Sequence, residues 1–193
     1  MAVVSLKYKS KQGTLTAPGD VDPGAMIPIA TTTLSSSTAN VTFSSIPDYY
    51  EHLQVRVLAR STGGNVQSYI KLEANSDTTG TNYYSHYIQA DGSTVAAGPN
   101  ANISIHYDIA GANATASVFG AIILDILDYS NSNKYKTIRG LGGTDNNGSG
   151  RMNLTSGLWM NTNKISSLTF TPFSGSFAQY SSFALYGIKR AGA

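Results

Sequence analysis

The chain contains no cysteine. Disulfide staples and cysteine-based zinc sites are therefore excluded, while the compartment stays open, because secreted proteins can lack cysteine too. Charge is also scarce. Asp, Glu, Lys and Arg make up 12% of the residues, about half the usual share, and Ser, Thr, Asn and Gly supply the polar surface instead. The formal net charge is +2 with no basic stripe, which argues against a nucleic-acid partner. No segment approaches the ~20 apolar residues of a membrane span; the strongest run, 118–127, is interrupted by Gly120 and Asp125. The opening MAVVSLKYKSKQG lacks a long apolar core followed by a small-residue cleavage site, so no secretory signal peptide is expected. No window carries a capped apolar stripe at i, i+3, i+4, so little helix is expected. Parallel βαβ folds need crossover helices and are disfavoured with it.

What remains is β text. At 193 residues the chain suits one domain, or one domain with an arm. Two-residue alternation is clearest in HLQVRVLAR, with Leu53, Val55, Val57 and Ala59 on one face, and in SYIKLEA, with Ile70, Leu72 and Ala74 on one face. TGGN between them is a hairpin signal. MIPIATTTL, NVTFSSI, YYSHYIQ, ISIHYDI, SVFGAIILDIL, YKTIRGL, MNLTSGLWM, SLTFTPF and SSFALYGI continue the series, most of them bounded by Gly, Asn, Asp, Ser or Pro. The spacing predicts an all-β domain over residues 26–193: an antiparallel β-sandwich, jelly-roll-like, of about eight to ten strands. Its expected core includes Leu53, Val55, Val57, Ile70, Leu72, Ile122, Leu124, Ile126, Leu158, Leu168, Phe170, Phe183 and Leu185.

Residues 1–25 differ. VSLKYKSK alternates weakly, placing Lys7, Lys9 and Lys11 on one side if extended, and a Gly-, Pro- and Asp-rich stretch follows. The segment suits an extended N-terminal docking arm. A disordered tail is the competing reading, against which stand the apolar Val3, Val4, Leu6 and Tyr8. At the other end, Phe183 and Leu185 face one way and Ala184, Tyr186 and Ile188 the other. A strand apolar on both faces needs two covers, one of which a partner copy can supply. The interface candidates are accordingly Val4, Leu6, Tyr8, Tyr186 and Ile188.

Motifs for chemistry are few. His52, His86 and His106 are the only histidines, and neither a G-x-S-x-G elbow nor H-E-x-x-H occurs. With only Glu51 and Glu73 as glutamates, a glycosidase would have to draw on aspartates. Asp125 and Asp128 fit a solvated strand end better than an acid–base pair. TDNNGSG (144–150) offers Asp145 and Asn147 as calcium ligands, but the twelfth loop position is Ser156, not Glu. Asn147–Gly148 reads better as a hairpin turn. Asp20 and Asp22 carry a similar weak calcium signal. Five N-x-[ST] sequons, at Asn40, Asn102, Asn113, Asn147 and Asn153, are what a chain this rich in Asn, Ser and Thr makes by accident. Catalytic residues, cofactor and metal are therefore all expected to be absent. The twelve tyrosines are more informative. Tyr83, Tyr84, Tyr87 and Tyr107 gather near strand ends and suit either host-surface contacts, such as glycan stacking, or a sandwich rim.

Several phrases are more specific: VDPGAMIPIATTTL, the N-S-D-x-x-G-x-N-Y-x-x-H run from Asn75 to His86, L-D-Y-x-N-x-N-K-Y-K-T, SGLWMNTNKISSLTFTP and Y-S-S-F-A-L-Y-G-I-K. Over residues 21–190 the chain resembles a family of small virion structural proteins, tail-fibre-like or decoration-like, of tailed bacteriophages, often those of aquatic bacteria. The resemblance implies a non-enzymatic particle component in the virion, assembled in the host cytoplasm. It would be arm-anchored and display its sandwich as a tail-fibre or adhesin head or as a capsid decoration. The implied partners are other virion proteins, further copies in a homo-oligomer, expected to be a trimer on analogy with phage fibres, and a host surface glycan. The alternative function is a surface-polysaccharide-binding or depolymerising protein.

Overall fold

The computed structural model describes residues 24–101 and 107–190. Almost all of the arm, including Val4, Leu6 and Tyr8, lies outside them, as do Asp20, Asp22, Asn102 and His106. Twelve strands follow in order: β1 (Met26–Thr33), β2 (Val41–Phe43), β3 (His52–Ala59), β4 (Gln67–Ala74), β5 (Tyr83–Ala90), β6 (Val95–Ala101), β7 (Tyr107–Ala110), β8 (Gly120–Leu127), β9 (Lys136–Asp145), β10 (Gly150–Trp159), β11 (Leu168–Pro172) and β12 (Ser182–Ile188). One 3₁₀ turn, Gly80–Asn82, is the only helical element among the described residues.

The strands form an eight-stranded sheet, β1-β12-β3-β8-β9-β10-β5-β6, and a four-stranded sheet, β2-β11-β4-β7. Every strand-to-strand ladder is antiparallel. Eight strands form nested pairs, β1 with β12, β2 with β11, β3 with β8 and β4 with β7, split alternately between the sheets. That is a jelly roll. The twelve strands exceed the expected eight to ten because β5–β6 and β9–β10 are additional hairpins that widen the larger sheet. β7, the edge of the smaller sheet, packs over β8, β9 and β10, and β5–β6 extend beyond it.

The core lies between the sheets. Leu53, Val55, Ile70, Leu72, Leu124, Ile126, Phe170, Phe183 and Leu185 are all at most 1% exposed, so β3, β4, β8, β11 and β12 face as their alternation predicts. Leu158 does not belong with them. On β10 the inward positions are Asn153, Thr155, Gly157 and Trp159, while Leu158 is only half-buried on the opposite face. Met152, Leu154 and Leu158 mark the outer face here, because the inner face of the strand turns polar at Asn153 and Thr155 as it runs out past the smaller sheet, leaving Trp159 as its inward apolar side chain.

Two of the distinctive phrases build turns. In the Asn75–His86 run, Asn75 accepts the backbone N–H groups of Ser166 and Ser167 and donates to the Lys164 carbonyl. Asp77 Oδ2 accepts from Trp159 Nε1 and Asn82 Nδ2, both at 2.8 Å, and Asp77 Oδ1 accepts the Thr79 N–H. Burial pushes the Asp77 carboxyl up, but these hydrogen bonds prevail and hold its pKa at about 2. In the Leu127–Thr137 phrase, Lys136 is fully buried and its Nζ donates to the carbonyls of Asn131, Lys134 and Thr162 at 2.6, 2.8 and 3.0 Å. Burial lowers its pKa. Arg60 plays a similar part over residues 112–118, donating to four carbonyls there. The β9–β10 hairpin turns on Asn147 and Gly148, both with positive φ (58° and 101°), as the Asn-Gly signal predicts.

Candidate functional site

Three places warrant attention. The first is the outer face of the eight-stranded sheet. Cross-strand register aligns Leu58, Ala121, Gly143, Met152, Ala90 and Val95 in one row. The adjacent row is Arg56, Ile123, Leu141, Leu154, Ile88 and Ala97. Leu58, Ile88, Val95, Ile123, Leu141, Met152 and Leu154 are between 43% and 71% exposed. The third row turns polar, with Gln54, Asp125, Arg139, Ser156 and His86, and Gln54 Nε2 donates to Asp125 Oδ1 at 2.9 Å. At strand spacings near 4.8 Å the two apolar rows cover on the order of 300 Å², the size of the largest apolar patch a typical monomer exposes. A shallow groove of about 1140 Å³ runs across them from Thr31 and Ala184 to Met152.

The second is a polar pocket of about 200 Å³ at the opposite face of β5, β6 and β10, beside the edge strand β7. Its floor is Asp108, fully buried, with Asn153 and Thr155 beside it, 6% and 1% exposed. Asn153 Nδ2 donates to Asp108 Oδ2 at 2.8 Å. Arg151 Nη1 stands 3.7 Å from Asp108 Oδ1 and donates to the Tyr69 hydroxyl at 3.4 Å. Burial raises the Asp108 pKa against the opposing pull of Arg151 and Asn153. Among the described residues, Asp108 Oδ1, Arg151 Nε and Asn153 Oδ1 are buried without hydrogen bonds. Tyr87, Gln89 and Asn100 form half-buried walls. Gly98 makes room for Tyr87, since a Cβ there would lie 3.3 Å from its hydroxyl.

The third is Glu51, His52 and Asp128, whose ligand atoms lie within 4.8 Å of one another. Cations and a backbone donor already engage them. Lys134 Nζ sits 2.6 Å from Asp128 Oδ2 and holds that carboxyl below its usual range, and Arg190 Nε sits 3.7 Å from Glu51 Oε1. His52 Nδ1 accepts the Asp128 N–H at 3.0 Å. The cluster reads as a charged rim rather than a metal centre. Asp145 is likewise occupied, because its Oδ1 accepts the Asn147 N–H within its own turn.

The tyrosine candidates scatter. Tyr83 is a correction: it is 1% exposed, its hydroxyl accepts the Ala74 N–H at 3.0 Å and donates to the Asp77 carbonyl at 2.9 Å. It is a core residue with its polar tip satisfied and cannot meet a host surface. Tyr84 is exposed on the outer face of β5, Tyr87 lines the polar pocket, and Tyr107 opens β7 opposite Ile70, next in sequence to Asp108. Tyr186 and Ile188 point to the outer face of β12, half-buried, with Arg56 stacked 5.7 Å over the Tyr186 ring. Asp108, Arg151 and Asn153 do not stand out as a group in the sequence; the one signal that points toward them is the polar, out-of-phase inner face of β10. No family model matches the chain, and neither curated proteins nor solved structures yield a match.

Proposed function

We propose that this chain is a non-enzymatic structural component of a virus particle, of the tailed-phage kind its sequence phrases resemble, and that copies of it pack together through the outer face of the eight-stranded sheet. The observation that carries this reading is the pair of apolar rows centred on Ile123, Leu141, Met152 and Leu154, edged by the polar row from Gln54 to His86. An apolar centre with a polar rim is the anatomy of a protein interface. The jelly roll supports it as fold-level analogy, since viral capsid domains use that architecture. Sparse charge supports it too, because few ions need desolvating when copies meet. Tyr186 and Ile188 extend the same outer face toward β1, and the arm at residues 1–25 serves to anchor the module to the particle.

Particle composition tests this. The chain is expected in washed, purified particles, and a chain carrying both Leu141→Glu and Leu154→Glu is expected to fold yet be under-incorporated. Recovery of the wild-type chain only from the lysate, never from particles, overturns the proposal. The pocket supports binding without turnover, because among the described residues its lining holds a single carboxylate, Asp108, where glycosidases pair two. Asp108-dependent release of reducing ends from host polysaccharide would contradict the non-enzymatic part.

A further inference from the structure

We propose that the polar pocket between β10, β5, β6 and the edge strand β7 binds a neutral sugar unit by a vicinal diol. The pocket's lining leaves several polar atoms unpaired among the described residues. Asp108 is fully buried, yet among the described residues Oδ1 has no hydrogen bond and its guanidinium partner stands off at 3.7 Å. A pair that served folding alone would close to about 2.7–2.9 Å and fill its remaining valences. Arg151 Nε and Asn153 Oδ1 are also buried and unpaired. The residues lining the pocket thus carry two unpaired acceptors and one unpaired donor, each buried behind its wall and fixed on β7 and β10 rather than on loops.

This set discriminates among ligand classes. A free cation would meet the Arg151 guanidinium, and a free anion would meet the Asp108 carboxylate. A diol suits both, since its hydroxyls donate to Asp108 Oδ1 and Asn153 Oδ1 while their oxygens accept from Arg151 Nε. The Tyr87 ring, lying over Gly98, offers a flat wall for the apolar C–H face of a pyranose. Gln89 and Asn100 add half-buried amides to the walls. The volume of about 200 Å³ falls below the roughly 300–1,000 Å³ of drug-sized sites, so one ring enters and the rest of a glycan stays outside. Repeated copies on a particle would turn such weak single contacts into avidity.

The test is an NMR titration of the full chain with millimolar methyl glycosides of glucose, galactose, mannose, rhamnose and N-acetylglucosamine, with calcium chloride and sodium phosphate as controls. At least one glycoside is expected to shift the Arg151 Nε–H and Asn153 side-chain amide resonances. Its affinity is expected to fall at least tenfold in Asp108→Asn and in Tyr87→Ala. Tyr87 is half-exposed on the wall, so its variant keeps the test valid if Asp108→Asn unfolds. No shift with any glycoside, a shift with calcium or phosphate instead, or unchanged affinity in Tyr87→Ala overturns the proposal. Sugar binding is read on single chains, so it fails or succeeds independently of assembly.

Discussion

Replacing Asp77 by Asn probes how the Asn75–His86 run holds the sandwich together. Asp77 Oδ2 accepts from Trp159 Nε1 and Asn82 Nδ2, and Oδ1 accepts the Thr79 N–H. These donors hold a carboxyl of ordinary pKa 3.8 at about 2. Each tenfold change in proton affinity is worth about 1.4 kcal/mol, so the full linkage is about 2.4 kcal/mol. Asp77 is partly exposed and solvent screens it, so we expect ~1–2 kcal/mol. The sign follows from the depressed pKa. The contribution is complete above the unfolded-state pKa near 4 and is lost as pH falls toward 2. In Asp77→Asn, an amide with one acceptor faces three donors, and stability at neutral pH should drop by about 2 kcal/mol. The difference between wild type and variant should shrink on acidification, as the wild type loses its advantage. Trp159 is the only tryptophan and bonds directly to Asp77, so urea unfolding followed by its fluorescence at several pH values reads the effect. A gap between the two proteins that stays constant from pH 6 to pH 2 would refute the reasoning.

Other substitutions address other parts of the fold. Leu124→Ala, buried at 1% exposure, should cost ~2–5 kcal/mol, while Leu158→Ala should cost clearly less because that side chain sits on the outer face; equal losses in chemical denaturation would contradict the observed phase of β10. Burial raises the Tyr129 pKa to about 12, and its hydroxyl donates to the Pro47 carbonyl. The unfolded phenol ionises near 10 while the folded one resists, so stability should fall as pH rises from 10 to 12, by roughly 2–3 kcal/mol from this group. Tyr129→Phe should flatten that alkaline loss, and an unchanged slope would show that the phenol is not protected. Removing the Arg60 guanidinium, as Arg60→Ala, frees four carbonyls of residues 112–118; hydrogen exchange there should quicken before it does in β3, and uniform exchange across the domain would contradict the role.

The strands that bury one clean face were legible in the sequence. HLQVRVLA and QSYIKLEA alternate because each lies between solvent and the inter-sheet core, and the closing SFALYGI puts Phe183 and Leu185 inward as its pattern predicts. The Asn147–Gly148 turn was legible because φ > 0 at two successive positions selects those residues. Legibility failed where the inner face stops being core. On β10 the inward residues from Arg151 to Gly157 are Arg151, Asn153, Thr155 and Gly157, so along most of the strand apolarity marks the outer side, and Leu158 falls there while Trp159 turns inward. Tyr83 misled differently, because an aromatic with a polar tip looks the same in sequence whether its hydroxyl meets solvent or the Ala74 and Asp77 backbone. The polar pocket draws on Tyr69, Tyr87, Asn100, Asp108 and Arg151 from five strands, and no local spacing joins residues so far apart. Departures from pattern of this kind are where function is expected to sit.

The claim that copies meet through the outer sheet face is tested most directly by sedimentation velocity over a wide concentration range, comparing the wild-type chain with the Leu141→Glu, Leu154→Glu double variant. Both substituted positions are about half exposed in the single chain, so the variant should keep the wild-type circular dichroism spectrum and unfolding midpoint. The wild type is expected to form a discrete oligomer with rising concentration, and the variant to remain monomeric throughout. A wild type that stays monomeric at the highest concentration, or a double variant that assembles as the wild type does, would contradict the claim.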